Sequence, residues 1–495
     1  MRSLPIISLL SLFLMLIHKH THAQPKSASV LAGQLEEYYT QRAEEKVYLH
    51  TASHYAQAGD QLPFQAYVLD AFSNEPTQIS KVLRVELWDK ELARRLTSQR
   101  LKIQDGVTQG AIKIPSSVAN GQYVVRAFTQ WMVNYDMVTD VPLIVDKAGD
   151  FALQPAMTGS LVFVPEGGKL VAGVANKIVV MGDGPTNGTV MNPKGKEVAV
   201  FETNEDGLGA FVLVPGRGEQ FTINTGDENL KYNFPLVEEV GLACLLQQTK
   251  SGFRINLQAS KGLTRELDDG TISVIVESRG IAYFTITGDI KKNGYFIADL
   301  DASTLPHGPG RILAFDSYGQ LLSERAFFNI QEDTSPIHTN LSRRVFDRRE
   351  RVDLSIFNDL DESIKLSVSV SKADHFVANT VTIDEFGATN SFSPSGIASG
   401  SDNLDWMMIA GAWKSADWYE PQQASDYTYR PERLLAYSGI AYDTEGNPVK
   451  DKTLDVWLIN HDQVYQAQTN AIGEFSLVLF DFSGADDFMF DSKEV

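Results

Sequence analysis

A single cysteine, Cys244, is the only thiol in the 495-residue chain. One thiol excludes an internal disulfide, a cysteine-rich zinc module and an iron–sulfur site. In Gly241-Leu-Ala-Cys244-Leu-Leu it stands among apolar neighbours and reads as a buried structural residue. His50 and His54 have the i, i+4 spacing that would put two metal ligands on one helix face. The surrounding text is strand then turn, so they need not share a face. Asp486, Asp487 and Asp491 could hold Ca²⁺ but lack the EF-hand order and read as solvated acids. Val164-Pro-Glu166-Gly167-Gly168-Lys169-Leu-Val lacks phosphate-loop spacing and reads as strand, tight turn, strand. The chain has no Gly-x-Ser-x-Gly and no His-Glu-x-x-His. No catalytic, cofactor-binding or metal-binding residue is assigned, and no enzyme activity is expected. The remaining functional lead is aromatic: Trp131, Trp406, Trp413, Trp418 and Tyr419 are candidate interface residues, because tryptophan and tyrosine anchor interfaces.

The elements that must position these residues belong to a folding composition: 43% hydrophobic and 21% charged. A formal charge of −20 argues against a nucleic-acid partner, since phosphate binding draws on Lys and Arg. The one long apolar run, 4–17, follows Arg2 and leads to Thr21 and Ala23. It reads as a signal peptide over 1–23, cleaved before Gln24. No transmembrane segment is expected after cleavage, and a peripheral membrane contact stays open.

Residues 24–45 carry a short helix, with Leu31, Leu35, Tyr38 and Tyr39 at helical spacing. After Lys46 the period becomes two, as in Leu62, Phe64, Ala66 and Val68, and turn residues bound each run. A hairpin text recurs at 105–128, 206–223, 293–315 and 470–490, aligned on Gly110, Gly209, Gly294 and Gly473. Repetition at this scale implies tandem β-sandwiches. The boundaries fall at 46–147, 158–238, 240–333, 334–432 and 433–495. The last module reads as one strand short of a full sandwich. Residues 387–403 read as a loop leading into a helical insertion, 404–418, apolar nearly all round and therefore expected to lie buried between domains.

The run Glu45-Lys46-Val47-Tyr48-Leu49-His50-Thr51, with Tyr55, Gly59, Asp60, Phe64, Ala66, Tyr67 and Val68, resembles the macroglobulin-like domains of secreted Bacteroidetes proteins. Ala52 and Ala58 depart from Asp and Pro in that pattern. Further similar pieces are 121–134, 161–173 and 402–418. The closing module, through 439–449 and 469–477, is similar to the carboxypeptidase-regulatory, transthyretin-like fold. The resemblance implies an exported protein of the periplasm, outer membrane or cell surface of a Gram-negative bacterium. Its implied partner is another outer-membrane or cell-surface protein. Relatives often continue toward a TonB-dependent receptor plug, which this sequence does not show.

The fold class expected is all-β: tandem immunoglobulin- or macroglobulin-like sandwiches with one N-terminal helix and one helical insertion. The function expected is non-catalytic binding or scaffolding. The alternative is a macroglobulin-like protease inhibitor without a thioester. Gly218-Glu219-Gln220 echoes a thioester string, but Arg217 stands where the cysteine would be, and arginine cannot form one.

Overall fold

The computed structural model describes residues 25–89, 93–135, 137–146, 161–182, 184–226, 232–331, 337–343, 345–360, 363–370, 401–410, 427–459, 463–479 and 488–492. The signal peptide, Trp413, Trp418, Tyr419, Asp486 and Asp487 lie outside them.

The chain opens with α1 (Ala28–Arg42), capped by Ser27, whose hydroxyl accepts from Val30 N. The first sandwich follows: β1 (Glu45–Thr51), β2 (Tyr55–Ala56), β3 (Gln61–Asp70), β4 (Val82–Asp89), β5 (Arg94–Lys102), β6 (Val107–Lys113), β7 (Gly121–Phe128) and β8 (Thr139–Val145). Sheet β1-β3-β6 faces sheet β2-β8-β7-β4-β5 across one core, to which both contribute alternate residues such as Val47, Phe64, Val85 and Val125.

The second comprises β9 (Val162–Pro165), β10 (Leu170–Val171), β11 (Asn176–Met181), β12 (Asn187–Met191), β13 (Glu197–Glu202), β14 (Leu208–Leu213), β15 (Thr222–Asn224) and β16 (Val237–Glu238). Sheets β14-β11-β9 and β13-β12-β15 enclose a phenylalanine-rich core. The third comprises β17 (Leu242–Gln248), β18 (Gly252–Ala259), α2 (Lys261–Glu266), β19 (Thr271–Ser278), β20 (Ile281–Asp289), β21 (Tyr295–Asp301), β22 (Gly308–Asp316) and β23 (Leu321–Asn329). Its sheets are β17-β18-β21 and β20-β19-β22-β23.

A two-stranded pair, β24 (Ile337–Leu341) and β25 (Leu354–Asn358), precedes α3 (Ser401–Ala410). The closing unit pairs β26 (Leu435–Ile440) with β29 (Glu474–Leu479), and orders β28 (Gln463–Gln468), β27 (Thr453–Leu458) and β30 (Phe488–Ser492) in a second sheet. The molecule is therefore all-β, in tandem sandwiches, with few helices. Among the described residues no helix is long and apolar enough to cross a membrane.

The repeated text is not a hairpin. In each copy the two strands enter opposite sheets: β6 and β7, β14 and β15, β21 and β22, β29 and β30. In the first three copies links of several residues carry the chain over the core, where a hairpin would need a short turn. The glycines realign accordingly. Gly106, Gly207, Gly294 and Gly473 each take a positive φ in the turn immediately before the first strand of the arch. At Gly207 (φ +75°) a Cβ would also lie 2.0 Å from the Gly182 carbonyl oxygen, so only glycine fits. Gly110 and Gly209, taken as equivalents from sequence, sit inside strands.

Many turns share one device. At Asn192, Asn204, Asp316, Asp443 and Asn470 the side-chain oxygen accepts from backbone N–H groups two and four residues on, and a positive-φ glycine stands third.

Candidate functional site

Two groups of deeply buried charged side chains lie where units meet. Arg325 sits in β23, an edge strand of the third sandwich, and is 1% exposed. Its Nε donates to Glu166 Oε1 at 2.8 Å, and its Nη2 donates to Asp405 Oδ1 at 2.5 Å. Glu166 lies in the turn after β9 in the second sandwich and is fully buried. Its Oε1 also accepts from Leu246 N at 2.9 Å, a backbone group of β17. Its Oε2 has no hydrogen-bond donor among the described residues, but Lys177 Nζ of β11 lies 3.5 Å away. The same Nζ is 3.4 Å from Asp405 Oδ2. Two carboxylates and two cations thus close a neutral network over the second sandwich, the third sandwich and α3. Desolvation pulls the Arg325 pKa down, but the charges of Glu166 and Asp405 outweigh it and leave it above the ordinary value.

The local sequence explains the approach. Gly167 takes φ +85°, and a Cβ there would lie 2.7 Å from Ser323 Oγ and 3.1 Å from Cys244 N. Glycine lets this turn press against β17 and β23, and Ser323 Oγ donates to Gly167 O at 3.1 Å. The Glu-Gly-Gly-Lys string is therefore an inter-sandwich contact.

Helix α3 seals the network. Leu404 and Met408 pack on Ala326 and Phe328 of β23, and the helix also meets β9, β11 and β14. Asn403 accepts from Asn204 Nδ2 at 2.8 Å and donates to Asp206 Oδ2 at 3.2 Å. The helix begins at Ser401, inside the stretch read from sequence as loop. Ser, Asp and Asn suit helix starts as well as loops, which is why composition misplaced the boundary. Leu404, Met407 and Met408 are buried, while Trp406 and Ile409 are half-buried.

Cys244 borders the network and is 1% exposed. Burial first, then the neighbouring Glu166 charge, push its thiol up to about 12 against the pull of Arg325. The thiolate is inaccessible at neutral pH, so the native protein should resist thiol reagents. Cys244→Ser should cost about 1–3 kcal/mol by placing a poorly paired hydroxyl in an apolar site. Rapid modification of the folded chain by a thiol reagent would contradict this.

Trp131, an interface candidate from sequence, is 8% exposed and occupied within the chain. Its Nε1 donates to Ala43 O, just past α1, at 2.8 Å. Its ring lies 4.6 Å from that of Tyr427, whose hydroxyl is 3.0 Å from that of Tyr135. Asn134 Nδ2 donates to Tyr429 O and its Oδ1 accepts from Tyr429 N. Arg84 grips Glu432 at 2.9 Å and 3.0 Å. These contacts strap 427–432 to the first sandwich. The two histidines have different partners. His50 Nδ1 and Nε2 meet Ser367 and Ser369 hydroxyls, and its pKa is lowered by burial and then by His54. His54 Nδ1 donates to Pro142 O. Arg217 pairs with Glu239, and Glu219 accepts from Gly216 N, in a surface turn.

A second buried charge group lies under α1. Leu31, Ala32, Leu35 and Tyr39 pack on Ile275, Leu313 and Phe315, so the helix preceding the first sandwich clasps the third. There Glu277 accepts from Arg311 Nε, and Arg311 Nη1 donates to Glu324 Oε1 at 3.0 Å, with the Tyr39 ring 5.6 Å from the guanidinium. Two carboxylates share one buried cation. Burial, opposed by the Gly280 N–H and reinforced by Glu324, pushes the Glu277 carboxyl from 4.5 up to about 8. The native state binds this proton more tightly than the unfolded chain. The contribution is therefore present in full below the unfolded value and is lost as pH rises through about 8. Melting temperature should fall between about pH 5 and about pH 9, and Glu277→Gln should flatten that slope. An unchanged slope in the variant would place the titration elsewhere.

No family model and no curated protein matches the sequence. Among solved structures, the chain is similar to the native alpha-2-macroglobulin of Escherichia coli at 10% identity and TM-score 0.19, over 64% of this chain and 25% of that one. It is similar to dimeric latent PorU from Porphyromonas gingivalis at 10% identity and TM-score 0.26, over 57% and 34%. It is similar to the BSP domain of a biofilm associated protein at 10% identity and TM-score 0.22, over 61% and 70%. The chain thus spans about a quarter of the macroglobulin and a third of PorU. At these levels the sandwich architecture rests on the sheets and cores themselves.

Proposed function

We propose that the protein is an exported, non-catalytic scaffold that binds another outer-membrane or cell-surface protein. The observation that carries this reading is the Glu166–Arg325–Asp405–Lys177 network. Its buried pair, Glu166 and Arg325, and its partly exposed pair, Lys177 and Asp405, together hold two sandwiches and a helix at one mutual orientation, which is what a rigid presenting frame requires. The cysteine beside it is kept protonated and covered. The apolar run of 4–17 and the resemblance of 45–68 to secreted Bacteroidetes proteins support export. The likeness of the final module to the carboxypeptidase-regulatory fold supports a binding accessory.

Cross-linking of the full chain in its native envelope, followed by partner identification, tests the reading. A defined envelope protein recovered at stoichiometric yield is the expected result. Recovery in the cytosol, or a cleaved chain holding a captured protease, would replace it, the latter with the inhibitor alternative.

A further inference from the structure

The loop from β24 to β25 runs Ser342-Arg343-Arg344-Val345-Phe346-Asp347-Arg348-Arg349-Glu350-Arg351-Val352-Asp353. Five arginines against three acids give it a net +2, in a chain whose formal charge is −20. Both strands that carry it are exposed along nearly their whole length. Val345 is 81% exposed and Val352 53%, although a valine gains nothing from water. Arg343 pairs with Glu350 and lies 5.5 Å over the Phe346 ring, while Glu350 also accepts from Asp347 N at 2.7 Å. Arg349 adopts φ +68°, which turns the chain at the tip. Arg351 pairs with Asp353 while 87% exposed. Arg348 and Arg349 are exposed and have no carboxylate within ion-pair distance among the described residues.

We propose that this hairpin tip docks on an anionic lipid surface, with the guanidinium groups on the headgroups and Val345 entering the interfacial layer. Charge complementarity selects the ligand class: bidentate, permanently charged donors match phosphate oxygens. The apolar residue set between two arginine pairs selects a lipid surface over a purely polar polyanion. The acidic remainder of the chain does not prevent this. Its field is screened beyond about 8 Å at physiological salt, whereas the tip makes contact.

Co-sedimentation of the full chain with phosphatidylcholine vesicles, with and without phosphatidylglycerol, tests the assignment. Binding should require phosphatidylglycerol and weaken as salt is raised. The double variant Arg348→Glu/Arg349→Glu should bind on the order of a hundredfold more weakly, and Arg348→Ala/Arg349→Ala less so. Both should melt like wild type, because the residues are exposed. Val345→Asp should weaken binding without altering the arginines. Equal partitioning of the double variant, or partitioning indifferent to lipid charge, would overturn the proposal. So would binding of immobilised polyglutamate with none to vesicles, which would assign the tip to an acidic protein surface. The test is independent of the scaffold reading, since it needs no protein partner.

Discussion

Arg325→Ala should destabilise the second and third sandwiches by about 3–5 kcal/mol, the usual penalty for stranding one member of a buried ion pair. Glu166 is fully buried and would keep only Leu246 N and the more distant Lys177 as partners. Asp405 would lose its short contact, so α3 should loosen from β23. Two readouts separate this from generic core damage. Hydrogen exchange should rise in 401–410 and around β9, while β1 and β3 stay protected. Solution scattering should give a larger radius of gyration. The double variant Glu166→Leu/Arg325→Met should recover much of the lost stability, because neither uncompensated charge remains. If Arg325→Ala melts like wild type and keeps its dimensions, the network does not fasten the units and the scaffold reading loses its support.

The sequence signalled strands well and their partners poorly. Alternation at Leu62, Phe64, Ala66 and Val68 marks β3 because one face of that strand meets a core. Alternation says nothing about which sheet a strand joins, so the arches at 105–128 and its counterparts read as hairpins. Positive-φ glycines would have been the better alignment key, since a turn before a strand is set locally. The junction was legible only in fragments. Arg325 stands inside the otherwise largely apolar β23, and Glu166 precedes two glycines, and each is a signal of something unusual. Their meeting across 159 positions depends on how two sandwiches dock, which no local pattern encodes. The destination of α1 is similar. Chain proximity favours the first sandwich, but its apolar stripe is complementary to the third.

Glu45→Ala should cost about 3–5 kcal/mol and selectively unprotect the first sandwich. Glu45 opens β1 and is fully buried. Its Oε1 accepts from Thr77 Oγ1 and from Ser80 N at 2.9 Å, and its Oε2 accepts from Ser80 Oγ at 2.7 Å and Thr129 Oγ1 at 2.6 Å. One carboxylate thus ties the start of β1 to the link between β3 and β4 and to the segment after β7. Removing it leaves several buried donors unpaired, each worth about 1–3 kcal/mol, partly offset because a buried anion is no longer desolvated. Glu45→Gln keeps the shape. Its amide oxygen can serve Ser80 N, and the Ser and Thr hydroxyls can turn to accept from its NH₂, so the loss should be nearer about 1 kcal/mol. The same geometry gives the letters of Glu45-Lys46-Val47-Tyr48-Leu49-His50 their separate work. Glu45 knots three segments, Val47 and Leu49 enter the core, and His50 meets the hydroxyls of Ser367 and Ser369. A motif built this way specifies a fold. Loss of hydrogen-exchange protection in 45–70 in the alanine variant, with the second and third sandwiches unchanged, is the expected signature. Wild-type protection there would mean that the carboxylate is dispensable and that the motif must be explained by contacts outside the sandwich.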